Sequence, residues 1–249
     1  MMKEFYIDDK PIRLHCKLDM PAEETEKCPL VIVIHGLTGH MEETHITAIC
    51  KRMNELGFAT LRAEMYGHGK SDGRFEDHNL FQWILNGLRV IDYARSLDFV
   101  TDLFIAGHSQ GGLLTILLGG LRNNQFKAIL PLSPATIIPD GARTGRMLGM
   151  EFDPDNIPDR ISIPLFDLNG DYLRLAQLIH PEDAVRKYHG KVLIVHGDED
   201  EAIPVRYSEE LQKMYDDCQL AVIHGDDHCY TRHLDQVLDA ITVFLNRVR

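Results

Sequence analysis

Three residue types that together perform acyl transfer occur in order along this 249-residue chain: a serine at position 109, carboxylates at 198–201, and histidines at 224 and 228. A serine hydroxyl is almost wholly protonated near neutral pH. It attacks a carbonyl only beside a base, and the base works best when a carboxylate fixes its ring. Ser109 lies in Gly107-His108-Ser109-Gln110-Gly111, after the apolar run Leu103-Phe104-Ile105-Ala106 and before Leu113-Leu114-Thr115-Ile116-Leu117-Leu118. This arrangement predicts a strand, a tight turn and a helix. The residues two before and two after the serine must then lack side-chain bulk, and both are glycine. Such a turn holds the hydroxyl clear of the backbone, beside the free N–H groups that open the helix.

The acid and base come from the last third of the chain. Val192-Leu193-Ile194-Val195 reads as a buried strand, and it leads into His196-Gly197-Asp198-Glu199-Asp200-Glu201 and then Ala202-Ile203-Pro204-Val205, with a proline suited to a helix start. A second short strand, Leu220-Ala221-Val222-Ile223, precedes His224-Gly225-Asp226-Asp227-His228-Cys229. Spacing alone leaves a choice open among the carboxylates, and among His224, His228 and His233; an acidic surface loop without a catalytic member is the competing reading. His224 and His228 have the four-residue spacing of helical metal ligands, but Gly225 argues against a helix there and no His-Glu-x-x-His pattern exists. No metal and no cofactor are expected.

The elements that must carry these groups follow from periodicity. Ile12, Leu14, Cys16 and Leu18 alternate with polar residues, predicting a half-buried strand paired with Phe5-Tyr6-Ile7 across Asp8-Asp9-Lys10-Pro11. Helical spacing joins Ile46, Ile49, Met53 and Leu56 up to Gly57. It also joins Leu80, Ile84, Leu88 and Ile91, and at the end Leu234, Val237, Leu238, Ile241, Phe244 and Leu245. Buried strands between amphipathic helices imply an α/β class: a mostly parallel sheet with helices on both faces and ligands at its carboxyl edge. The segment Gly67-His68-Gly69-Lys70-Ser71-Asp72-Gly73 is not a phosphate loop. Glu64 stands where a P-loop needs glycine, and Asp72 where a dinucleotide fingerprint does.

Composition fits one domain over residues 1–249, since 44% hydrophobic content suffices for a large core. A net charge of −12 without a basic run disfavours nucleic acid and anionic membranes. Neither a signal peptide nor a membrane span is expected, and the odd set Cys16, Cys28, Cys50, Cys218 and Cys229, without a Cys-x-x-Cys pair, fits free thiols in the cytoplasm. Cys229 reads as a small buried filler.

Strand-helix alternation breaks between about 134 and 181. Pro131, Pro134, Pro139, Pro154, Pro158 and Pro164 crowd this neighbourhood together with Gly141, Gly145 and Gly149, so no long helix can persist there. The segment is nonetheless apolar, with Ile137, Ile138, Met147, Leu148, Met150, Phe152, Ile161, Leu165 and Phe166. It reads as a small cap inserted above Ser109.

Four motifs make the chain resemble, over essentially its whole length, a serine hydrolase of the α/β-hydrolase fold: His35-Gly36-Leu37-Thr38-Gly39, the Ser109 turn, Asp-x-x-Ile-Pro at Asp200, and Gly-x-x-His at His228. The resemblance implies Ser109 as nucleophile, Asp200 as acid, His228 as base, and the backbone N–H groups of Leu37 and Gln110 as oxyanion hole. It also makes Gly67–Gly73 a structural turn after a strand. With Ala63 to Gly73, Pro131-Leu132-Ser133-Pro134-Ala135 and His224 to Tyr230, the chain is most similar to bacterial cinnamoyl or feruloyl esterases, which cleave hydroxycinnamic esters from plant cell walls. The positions matching that family's ring-hydroxyl contacts are Asp140 and Tyr172; Asp140 could equally be a turn residue and Tyr172 cap packing. The implied partner is a small-molecule ester, and a homodimer stays open. The competing functions are a monoacylglycerol lipase, lysophospholipase or thioesterase, and a non-catalytic ligand-binding homologue. Dehalogenase and epoxide hydrolase are disfavoured, because those place aspartate where Ser109 stands.

Overall fold

Alternation at the N-terminus produces a hairpin. The computed structural model describes residues 2–23, 25–147, 149–163 and 166–249, and in it β1 (Met2–Asp9) pairs antiparallel with β2 (Ile12–Asp19), Phe5 opposite Cys16 and Ile7 opposite Leu14. His15, on the polar side of that alternation, is also buried, because Glu64 and Glu4 take its two ring nitrogens at 2.7 and 2.6 Å.

Strands and helices then alternate: β3 (Cys28–Ile34), α1 (Thr44–Glu55), β4 (Ala59–Ala63), α2 (Leu80–Arg95), β5 (Val100–His108), α3 (Gln110–Leu121) and β6 (Ala128–Leu132). Between β6 and the next sheet strand lie only short pieces: α4 (Ile137–Thr144), β7 (Arg146–Met147), β8 (Met150–Glu151), β9 (Arg160–Ile163), β10 (Phe166–Asn169), α5 (Asp171–Ala176) and α6 (Pro181–Val185). The sequence's prolines and glycines account for that shortness. Leu148, Pro164 and Leu165 lie outside the described residues. The chain returns to the sheet with β11 (Lys191–Gly197), α7 (Arg206–Met214), β12 (Cys218–Ile223) and α8 (Leu234–Val248).

The main sheet runs β1-β2-β4-β3-β5-β6-β11-β12, parallel from β4 to β12. Because successive side chains of a strand face opposite sides, β3 feeds two cores. Leu30, Ile32 and Ile34 join Trp83 and Ile91 of α2 and Leu113 and Leu114 of α3. Val31 and Val33 join Ile46 and Met53 of α1 and Val237, Ile241 and Phe244 of α8. Helices therefore cover both faces, as a parallel sheet requires.

Strand order reverses at β3. The chain moves from β3 outward to β4 on one side, then crosses to β5 on the other. Loops leaving β3 and β5 at such a point part to opposite sides and leave a crevice at the carboxyl edge. The loop at His35–Gly39 and the turn at Ser109 lie at those two strand ends. Among the described residues, no helix is long and apolar enough to cross a membrane.

Candidate active site

Ser109 sits between β5 and α3 with φ 58° and ψ −119°, a backbone region that L-residues rarely occupy. The surroundings enforce it. Its N–H donates to Leu132 O at 2.9 Å, while its own carbonyl accepts from Ala135 N at 2.9 Å and Leu113 N at 3.0 Å. A Cβ at Gly107 would stand 2.2 Å from Gly111 O, and one at Gly111 would stand 2.4 Å from His35 O. Both glycines are therefore demanded by close backbone approach, as the Gly-x-Ser-x-Gly spacing suggests.

Asp200, in the loop after β11, is buried and has four donors. Oδ1 accepts from Ala202 N at 2.9 Å and Ile203 N at 2.8 Å; Oδ2 accepts from His228 Nδ1 at 2.6 Å and His196 Nε2 at 3.1 Å. Burial by itself would raise this carboxyl's pKa, but the hydrogen bonds from the two imidazoles and from Ile203 N outweigh it and hold Asp200 well below the ordinary carboxylate range. With Nδ1–H committed to Asp200, His228 has Nε2 left for other work. Asp198, two residues away, is turned outward to His224 at 2.7 Å and to Gly225 N at 2.7 Å. Among the loop's carboxylates it is thus Asp200 that meets His228.

The loop bearing His228 is held from below. Tyr230, at φ 57°, donates to Val195 O at 3.1 Å and lies 2.9 Å from Ser133 Oγ; Ser133 has φ 40°. His108, buried beneath, bonds His228 O through Nε2 at 2.7 Å. His35 is also structural in its bonding: Nδ1 faces Gly36 O at 2.8 Å, and Nε2 accepts from Met65 N at 3.1 Å. Burial depresses both imidazoles, His35 to about 3 and His108 well below its usual value, so both are neutral at pH 7.

Ser109 and His228 share the wall of a cavity of about 710 Å³. Leu37, Ala135 and Ile203 line it from the sheet side, and Ile137, Met147, Met150 and Phe166 from the segment between β6 and β11. Leu37 and Gln110 flank Ser109, and neither backbone N–H has an acceptor among the described residues. The arrangement offers a nucleophile, a carboxylate-oriented base, two unengaged N–H donors and an apolar chamber.

Asp140 and Tyr172 are not brought to that chamber. Tyr172 is fully buried and its hydroxyl donates to Gln110 Oε1 at 2.6 Å. Asp140 is exposed; its Oδ2 accepts from Tyr207 at 2.9 Å, in a separate polar groove with Arg143 and Arg206. Cys229 is exposed rather than a buried filler, because it lies on an outward-facing turn, its N–H donating to Asp227 Oδ1 at 3.0 Å. Sequence reasoning passed over His196, whose only signal was a histidine four residues before the acid. Among the described residues, no group of three or more His, Cys, Asp or Glu could hold a metal.

Comparison with known proteins adds to this geometry. The profile of the family described as serine aminopeptidase, S33 matches residues 25–153. The solved structure of Est1E from Butyrivibrio proteoclasticus with ferulic acid bound has 54% sequence identity and a TM-score of 0.97, covering 98% of each chain. Human protein ABHD12B is 24% identical over 190 residues, 75% of this chain and 49% of that protein, so the chain spans about half the length of this curated relative. The monoacylglycerol lipase of Mycolicibacterium smegmatis is 23% identical over 265 residues, 91% of each.

Proposed function

The chain belongs to the serine aminopeptidase, S33 family and has the α/β-hydrolase fold, and on that premise we propose that it is a serine carboxylic-ester hydrolase of the cinnamoyl or feruloyl esterase type. The observation that carries this reading is the 2.6 Å pairing of Asp200 with His228 beside Ser109, at the wall of an apolar cavity. The likeness to Est1E, which holds ferulic acid, supports an aromatic acyl half. The segment at 134–181 acts as the cap over that half. A small-molecule ester is the partner, and the free cysteines support a cytoplasmic setting.

The chemistry proceeds from the groups. His228, its Nδ1–H held by Asp200, takes the Ser109 proton at Nε2 as Oγ attacks the ester carbonyl. Charge moves to the carbonyl oxygen, where the N–H groups of Leu37 and Gln110 receive it. The imidazolium then gives its proton to the leaving alcohol, and the Ser109 acyl ester remains. Water, deprotonated by the same Nε2, attacks this ester, and the imidazolium returns that proton to Ser109 Oγ as the acid leaves. Asp200 stays ionised throughout and balances the charge on His228.

The test is initial rates on methyl ferulate, methyl caffeate, an unbranched medium-chain ester and an amino-acid p-nitroanilide, for wild type and Ser109→Ala. The proposal expects preference for the hydroxycinnamates and a loss in Ser109→Ala of several orders of magnitude, roughly the 10⁶-fold found when a triad serine is removed. Preference for the alkyl ester would move the substrate to acylglycerols, preference for the anilide to peptides, and turnover of none would favour a binding protein.

A further inference from the structure

His196, the penultimate residue of β11, is fully buried and takes no part in the steps above. Its ring is held at both nitrogens. Nδ1 lies 2.6 Å from Ser208 Oγ, near the start of α7, while Nε2 lies 2.9 Å from Ile203 O and 3.1 Å from Asp200 Oδ2. A backbone carbonyl only accepts, so Nε2 carries a proton and shares it between Ile203 O and Asp200. Ser208, itself buried, can then donate its hydroxyl proton to the Nδ1 lone pair.

The consequence falls on Asp200. A carboxylate offers about four lone-pair sites, and here Ala202 N, Ile203 N, His196 and His228 meet them. Three of these four donors do not react. Two come from the loop that carries Asp200 and move with it. The His196 N–H alone among those three comes from the sheet, and it ties the carboxylate to a strand packed on both sides. Its bond also falls on Oδ2, the oxygen that receives His228.

We propose that His196, set by Ser208 behind it, is a positioning residue that fixes the plane of Asp200 and tempers the basicity of its Oδ2, so that His228 is aimed at Ser109. This rests on the Ser109–Asp200–His228 reading above. Without the His196 donor, Oδ2 would hold the His228 proton more strongly, and the acid limb of the rate profile would move to higher pH. The other titratable groups around this pair include Glu43, His45 on α1, His108 on β5, Asp198, Glu199, Glu201, Asp227, Cys229, Tyr230 and Arg232. They are common to every variant below, so a shift between variants reports on position 196.

Two amide replacements separate positioning from packing. Glutamine places a donor near the Nε2 position, within reach of Asp200 and Ile203 O; asparagine places it near Nδ1 and cannot reach. The measurements are kcat, KM and pH profile on p-nitrophenyl acetate, the rate of Ser109 labelling by a fluorophosphonate, and the thermal midpoint. For His196→Asn the proposal expects kcat and labelling to fall by about tenfold or more, with KM within about twofold, and an acid limb at higher pH. His196→Gln is expected within about threefold of wild type. Equal behaviour of the two variants, whether both intact or both impaired, would overturn the proposal. If neither folds, Ser208→Ala decides: a fall in labelling supports it, and an unchanged rate overturns it. The fluorophosphonate reads the activated serine whatever the natural ester. Failure on hydroxycinnamates with intact labelling would therefore count against the substrate assignment and leave His196 in place, whereas no labelling of wild type would remove the hydrolase reading itself.

Discussion

Tyr172 donates its hydroxyl proton to Oε1 of Gln110 across 2.6 Å, and both side chains are fully buried. The bond joins α5, far along the segment between β6 and β11, to the first residue of α3, whose N–H lies beside Ser109. The aromatic ring that sequence matching would assign to substrate is thus tied to the turn that carries Ser109. Tyr172→Phe is expected to leave Gln110 Oε1 unpaired in the interior, at about 1–3 kcal/mol. Chemical denaturation should read that loss. The ratio of kcat/KM for methyl ferulate over methyl cinnamate should stay at the wild-type value, and a ratio collapsing toward unity would return Tyr172 to the substrate pocket.

The two aspartates of the acidic loop make a second contrast. Asp200 meets His228 at 2.6 Å, whereas Asp198 bonds His224 on the surface at 2.7 Å. Asp200→Asn presents an amide that cannot hold the Nδ1–H tautomer, and kcat should drop by about 10⁴, as in the triad of a serine protease. Asp198→Asn should leave kcat within about twofold, since an exposed pair contributes little. Parallel steady-state kinetics of the two variants decide the matter; similar losses in both would disprove the assignment of the acid.

Legibility in the sequence followed the range of each interaction. The Ser109 turn could be read because a Cβ at Gly107 would strike Gly111 O within the turn, and the glycine at 111 completes the same spacing although its own clash is with His35 O of the neighbouring loop. The strands could be read because β3 is apolar on both faces. Bonds between distant segments left no such trace: Tyr172 and Gln110 are 62 residues apart, and nothing local to either names the other. His196 lies only four residues from Asp200, but a histidine near the end of an apolar strand looks like any strand terminus. Between 134 and 181 the prolines announced irregular chain correctly, yet they could not say which side chains would face Ser109. That is why Asp140 was expected there and is found beside Tyr207.

Acid should unfold this protein earlier than its carboxylates alone would dictate. Burial depresses His35 to about 3, and His45 and His78 to about 4. In the unfolded chain a histidine takes a proton near pH 6.5. Between that pH and the folded values the unfolded state binds more protons, so stability rises with pH and is lost on acidification through this window. Each such histidine steepens the dependence by about 1.4 kcal/mol per pH unit. His78 packs among Phe75, Trp83 and Tyr172, and phenylalanine can fill its place. Unfolding free energies at pH 6.5 and 4.5 should therefore differ less in His78→Phe than in wild type, by up to about 2.7 kcal/mol over the two units. An unaltered pH slope would show that His78 is protonated in the folded state.

Gly111 tests the backbone constraint on the nucleophile turn. A Cβ there would lie 2.4 Å from His35 O and 2.5 Å from Ile34 O, both backbone atoms of the strand end and loop beside the turn. Neither can yield as a flexible side chain would, so either α3 must move away from β3 or the His35–Gly39 loop must shift. Overpacking of this kind costs about 1–3 kcal/mol. The displacement would also separate the N–H groups of Leu37 and Gln110, which in the proposed mechanism converge on one oxygen atom, and losing one such donor costs about 3–4 kcal/mol of transition-state stabilisation. Gly111→Ala should therefore lose kcat by more than about 100-fold even at temperatures where it remains folded. A folded variant with near wild-type kcat would mean that the turn absorbs a methyl group without moving the two donors apart.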